Sequence, residues 1–255
     1  MTRATRRGHS THVVTIAVTT MAFFCPVSAH AELPKQLEGI EAHSRLGMVA
    51  TGSPEATEAA VTVLERGGNA IDAAVTASLA LGVSDSDASG LGGATYMIIH
   101  LANGRTVAID GTAPTPGHFD LMALRAAADA GTTTGHQMAT VPTTLAVLDL
   151  ALRKYGTISM AEAVQPAVDI AEHGYSLSEI QIMWADWYYD DLLAASDYFR
   201  FLIMEDGETI GSPGDRFCNY DLARTLRRIA REGVSSFYRG TIADPVSYTH
   251  LTLPT

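Results

Sequence analysis

The sequence predicts a helix-rich α+β fold, and three observations lead there. Segments with apolar residues at helical spacing stand both before and after a single β-hairpin signal. They do not alternate strictly with strands, as a chain of βαβ units would. Hydrophobic residues make up 47% of the chain and charged ones 18%, so a substantial core must be buried.

The elements follow in order from their punctuation. Ser53 is the natural N-cap of a first helix, with Pro54 at its first helical position. In PEATEAAVTVLERGG, Ala56, Ala59, Ala60, Val63 and Leu64 recur on one face, and Gly67-Gly68 ends the run. Asn69 caps a second segment, AIDAAVTASLALGV, which is apolar on nearly every side and so reads as a helix buried all round. After the loop SDSDASGLGGA, Thr95–Leu101 and Arg105–Asp110 are short runs rich in apolar and β-branched residues. Asn103-Gly104 between them signals a hairpin, because both positions tolerate positive φ. From Pro142 onward the pattern is helical: PTTLAVLDLALRKYG, then SMAEAVQPAVDIAEHG with Ser159 and Glu162 as a capping box, then Ser178 to about Ala195, then NYDLARTLRRIAREG capped by Asn219.

The first 31 residues carry Arg3, Arg6 and Arg7, an apolar run from Val13 to Phe24, and Ala29-His30-Ala31. This is the layout of a secretory signal peptide with an A-x-A cleavage site, and the run is too short to span a bilayer. Cleavage there moves the net charge from −11 to −14, a surface that repels nucleic acid and anionic membranes. The expected location is therefore periplasmic or secreted, with no membrane association after the signal is removed. Cys218 is left without a second cysteine to pair with.

GMVATGSPEATEAAVTVLERGGNAIDAAVTASLALGV resembles the start of the large subunit of γ-glutamyltransferases, which are self-cleaving N-terminal nucleophile hydrolases. The resemblance continues through Ser89-Gly90-Leu91-Gly92-Gly93, AIDGTAPTP, VPTTLAVLDLALRKYGTISMAEAVQPAVDIAEHGYSLSE and LARTLRRIAREGVSSFYRGTIAD, and so covers Gly47–Asp244. It implies an αββα four-layer sandwich, here incomplete, and a precursor that cuts itself to expose an N-terminal threonine on a small subunit. A free α-amino group titrates near neutrality and can take the threonine proton, so no metal or cofactor is expected. The implied partners are a γ-glutamyl or other amide substrate and the small subunit of the same precursor. That nucleophile lies well beyond Asp244 in the family, so the catalytic residues are expected outside these 255 residues, which by themselves are expected to be inactive. The expected domains are a signal peptide at 1–31, a partial large-subunit domain at 32–244, and a non-native tail at 245–255.

In this family a D-x-R-E-x-A-P motif supplies an arginine that grips the substrate α-carboxylate. Laid on it without gaps, Asp110-Gly111-Thr112-Ala113-Pro114 puts Thr112 at the arginine position, which makes Thr112 the candidate substrate-binding residue. A hydroxyl cannot give the bidentate contact of a guanidinium, a loss on the order of 2 to 4 kcal/mol. Thr112 therefore leaves room for an acylase or amidohydrolase without γ-glutamyl preference, unless Arg105 or another cation reaches the same spot. A third reading is a periplasmic scaffold that lost the enzyme half.

The remaining features read as structural. Asp85-Ser86-Asp87 imitates the start of a calcium loop, but position twelve is Tyr96 and the next segment is a strand. Ser89-Gly90-Leu91-Gly92-Gly93 lacks a lysine and leads into a strand, unlike a phosphate loop. His118, His136 and His173 have no metal-ligand spacing. Trp184, Trp187 and Tyr188 fit a packing face, with Asp186, Asp190 and Asp191 toward solvent, better than a sugar-binding strip. Cys218 reads as a buried small hydrophobe. Tyr248-Thr249-His250-Leu251-Thr252 superficially matches the start of a small subunit, but it follows FYRGTIAD too closely.

Overall fold

The computed structural model describes residues 43–117, 119–131, 139–191 and 211–244. The signal segment Met1–Ala31, the tail Pro245–Thr255 with Thr249 and His250, His118, His136, and the end of the helix expected to reach Ala195 lie outside the described residues. The elements below all belong to one unit, Ser44–Thr255, distinct from Met1–His43.

Helix α1 (Pro54–Glu65) starts where the sequence places it, with the Ser53 side chain accepting from the Ala56 N–H. Ser53 Oγ also lies 2.6 Å from Ser84 Oγ, which ties this cap to the far end of α2 (Ala70–Ser84). The α1 face that meets α2 is alanine: Ala56 and Ala59 pack with Ala80, and Ala60 with Ala73 and Ala77. Small side chains let the two backbones approach closely.

As expected, α2 is buried on most sides, and it packs against α1, α4 (Thr144–Tyr155) and α5 (Met160–His173). Val75, Leu79 and Val83 of α2 meet Leu145 and Leu148 of α4 and Val164 and Val168 of α5. Leu226 and Ile229 of α7 (Tyr220–Glu232) close the same core from beyond α5. Each such side chain contributes about 1.5–3 kcal/mol relative to exposure.

Strands β1 (Met97–His100) and β2 (Thr106–Ile109) pair antiparallel, with Met97 opposite Ile109 and His100 opposite Thr106. Met97, Ile99 and Ile109 turn toward the core, while Ile98 points out. The turn uses one of the two positions that tolerate positive φ. Only Gly104 has positive φ, at 81°, because Gly104 N–H bonds to Leu101 O and Leu101 N–H to Arg105 O. That is a three-residue loop with glycine at the left-handed position, and not a two-residue turn using Asn103 as well.

Four small elements have no counterpart in the sequence reading. Helix α3 (Leu121–Asp129), capped by Asp120, has no buried residue. Strands β3 (Tyr175–Ser176) and β4 (Arg216–Phe217) form a two-residue antiparallel pair, and α8 (Ser235–Tyr238) is a single turn. The Ser159/Glu162 capping box and the Asn219 cap form as expected, and Ser178 caps α6 (Glu179–Trp187) in a box with Gln181.

Helix α6 overturns the packing-face expectation. Trp184, Trp187 and Tyr188 are 37%, 72% and 46% exposed, and their rings stack on one another, Trp184 against Tyr188 at 5.8 Å. The face that α6 turns inward carries Gln181, Ile182 and Ala185 instead, with Gln181 Nε2 reaching Ser84 O at 3.3 Å and Tyr175 Oη at 3.4 Å. Among the described residues no helix is long and apolar enough to cross a membrane.

Candidate functional site

The candidate site is built where β2 ends against the glycine loop and the start of α4. Beyond Ile109, Asp110 accepts from the Thr112 N–H at 2.9 Å and from the Thr112 hydroxyl at 2.6 Å, both through Oδ1. A carboxylate bonding its own backbone two residues on is the ordinary way for aspartate to close a turn. The Thr112 hydroxyl bond and then the Thr112 N–H bond hold the Asp110 carboxyl below its usual value, against a smaller opposing effect of burial. Asp110 is therefore an exposed, ionised group at neutral pH.

The hairpin register, continued by one residue past Met97 and Ile109, sets Tyr96 across from Asp110. Tyr96 is 66% exposed, and its hydroxyl lies 3.3 Å from Thr112 Oγ1. Single-residue reasoning missed Tyr96 as a neighbour of Thr112, although pairing the hairpin about its turn would have found it. Arg105 does not reach Thr112, since it sits at the turn end of β2 and Thr112 beyond the other end, roughly 20 Å away at extended-chain spacing.

Beneath this exposed rim the backbone is tightly locked. The Thr143 hydroxyl donates to Gly111 O, while the Thr143 and Thr144 N–H groups both point at Gly93 O, at 2.9 and 3.2 Å. Thr95 Oγ1 donates to Thr144 Oγ1 at 2.9 Å, and Val141 N–H bonds to Pro114 O. Thr143 makes no side-chain cap on α4; its hydroxyl serves the hairpin end instead. The glycine loop thus works as a packing joint, consistent with the absence of a lysine.

The other singled-out residues lie apart from this rim. The Asp85 carbonyl accepts from the Ala88 and Ser89 N–H groups in a turn that closes α2. Burial, and then the charge of Asp87, raise the Asp85 carboxyl despite a hydrogen bond from Ser89. Among the described residues no group of three or more His, Cys, Asp or Glu could hold a metal ion. His173 faces solvent in the last turn of α5 with Nδ1 3.0 Å from Asp169 O. Cys218 is half-buried, less enclosed than expected.

Comparison with known proteins places this arrangement. The gamma-glutamyltranspeptidase family model matches residues 56–249. The glutathione hydrolase proenzyme of Escherichia coli (strain K12) is 34% identical over 212 residues, covering 80% of this chain and 36% of that protein. The acylase ACY 1 proenzyme of Pseudomonas sp. (strain V22) is 33% identical over 211 residues, covering 77% and 37%. The crystal structure of Helicobacter pylori gamma-glutamyltranspeptidase superposes with a TM-score of 0.73 at 32% identity, over 81% of this chain and 60% of that one. The chain thus spans little more than a third of the length of the curated relatives it matches. Its α+β architecture is a part of the N-terminal nucleophile hydrolase fold of those enzymes, and the chain belongs to the gamma-glutamyltranspeptidase family.

Proposed function

We propose that these residues form the large-subunit portion of an exported γ-glutamyltransferase or glutathione hydrolase, made as a single precursor, with Thr112 in its donor-binding site. The observation that supports the reading is that Asp110 and Thr112 stand exposed at the end of β2, on either side of the buried and locked Gly111, in the stretch that the ungapped overlay on the family motif assigns to its substrate-gripping residue. In this reading the nucleophile is a threonine of the small subunit, activated by its own amino group, and no metal or cofactor takes part. The 255 residues then lack the acylating centre. A purified sample of this chain should remain one band and release no aniline from a γ-glutamyl anilide; self-cleavage with release would contradict the proposal.

A second reading, an acylase without γ-glutamyl preference, is favoured by Thr112 itself, whose hydroxyl bonds Asp110 and Tyr96 where a guanidinium would be needed for a carboxylate. The acylase name of one relative supports it. A substrate panel on the protein from the whole reading frame separates the two: preference for γ-glutamyl anilide over simple amides selects the first. In that protein Thr112→Arg is expected to raise kcat/KM for the γ-glutamyl anilide at least about tenfold, which corresponds to ~1.4 kcal/mol. The gain stays below a full arginine contact because Ala113 stands where the family motif has its glutamate. An unchanged kcat/KM would remove Thr112 from the donor site.

A further inference from the structure

Away from the hairpin, α7 carries arginines 224, 227, 228 and 231, a spacing of three, four and seven residues that puts all four on one side of the helix. They line a cavity of about 500 Å³ together with Asp221, Thr225 and Ile242. On a chain with net charge −11 this is an inversion of local sign.

Among the described residues, the carboxylates within reach leave part of that charge over. Arg224 pairs with Asp221 and Arg227 with Glu172 of α5. Arg228 and Arg231 share one oxygen of Glu232, at 3.5 and 3.6 Å, both longer than a well-formed hydrogen bond. Arg228 also donates through Nη1 to the Thr241 hydroxyl at 2.8 Å. A guanidinium has five N–H donors in a rigid fork, so these loose contacts leave Arg228 and Arg231 with donors to spare. Their side chains are 40% and 67% exposed, accessible from solvent yet fixed on a helix that the core holds through Ala223, Leu226 and Ile229.

We propose that this cavity is a binding site for a small multivalent oxyanion, one carrying two or more closely spaced phosphate or carboxylate groups. Positions 228 and 231 are about 4.5 Å apart along the helix, a rise that two adjacent anionic groups can follow. A ligand with adjacent anionic groups can engage the Arg228 and Arg231 forks together, displacing their long contacts to Glu232. Forked guanidiniums suit the planar oxygen pairs of both chemistries. The site is separate from the hairpin rim and does not depend on the proposed reaction.

Pyrophosphate and citrate serve as probes on the full chain, with sodium chloride at matched ionic strength as the control. Saturable one-to-one binding by calorimetry, at millimolar Kd or tighter, is expected for at least one probe. R228Q/R231Q should weaken it at least tenfold, whereas R153Q on α4 should leave it unchanged. Pyrophosphate alone binding would indicate a phosphate-bearing ligand, and citrate alone a carboxylate one. Heats no larger than the salt control, or equal affinity in the double variant, would overturn the proposal. Should the double variant fail to fold, R231Q alone tests it at an exposed guanidinium, with a threefold or greater loss expected and no loss overturning it.

Discussion

Replacing Asp72 with alanine is expected to lower the unfolding free energy by about 3 kcal/mol at neutral pH, a large part of the stability of an ordinary domain. Asp72 is fully buried at the third position of α2, and its carboxylate does two jobs. Oδ2 accepts from the Asn69 N–H at 2.8 Å and from the Thr157 hydroxyl at 2.6 Å; Oδ1 accepts from the Thr157 N–H at 2.7 Å and the Ile158 N–H at 3.3 Å. Asn69 completes the joint by donating its side-chain amide to Tyr155 O at 2.8 Å. The start of α2 is thereby bolted to the α4–α5 connection, and alanine would leave several part-buried donors without their acceptor at once. Burial pushes the Asp72 carboxyl up, but the hydrogen bonds from Thr157, Asn69 and Ile158 outweigh it and leave the carboxyl below its ordinary value. A depressed carboxyl contributes stability that is present above its unfolded value and lost as pH falls through its folded value. Urea melts of the wild type and D72A should therefore differ by the full amount near pH 7 and by progressively less below about pH 4. A difference under 1 kcal/mol at neutral pH, or one indifferent to acid, would mean that the clamp is not energetically coupled to folding.

Gly111→Ala is expected to cost a similar amount, about 3 kcal/mol, for a steric reason. A Cβ at Gly111 would lie 2.2 Å from Thr95 O and 2.5 Å from Val147 Cγ2, and the nearer atom is backbone that cannot rotate away. Relief requires prising β2 from the glycine loop or from α4, which breaks the Thr143 bond to Gly111 O as well. Glycine is required here by close approach and not by its conformational freedom, since Gly111 is absent from the positive-φ residues. The control is Gly104→Ala at the hairpin tip, where nothing lies within 4 Å and only the positive φ resists. A melt in which G111A is no less stable than G104A would refute the close-packing argument.

These two residues show which parts of the molecule could be read from the sequence. The caps at Ser53, Asn69, Ser159 and Asn219 were legible because an N-cap is decided within four residues, and all four form. The burial of α2 was legible because its apolar residues occupy every side. Asp72 was not, since an acid in the first turn of a helix looks like any other capping residue until Thr157 arrives from 85 positions away. Helix α3 has Leu121, Leu124 and Ala128 at helical spacing, a signal in nine residues too short to stand out, and none of its residues is fully buried. The aromatic residues of α6 were misjudged for the converse reason: helical spacing identifies a face, while tertiary packing decides which face turns inward, and here it is that of Gln181 and Ala185. At the candidate site Thr112 could be placed by motif alone, whereas Tyr96 required the register of the hairpin.

The clamp at Asp72 also bears on how such a chain can diversify. By joining α2 to the α4–α5 connection it closes the intervening stretch, glycine loop and hairpin included, into an excursion anchored at its base. Lengthening a closed loop raises its entropic cost only logarithmically, by about 0.6 kcal/mol per doubling. Insertions or exchanges within the excursion can therefore accumulate without loosening the helical base. Residues at the end of the hairpin, Thr112 among them, can then change while the scaffold that carries them stays the same.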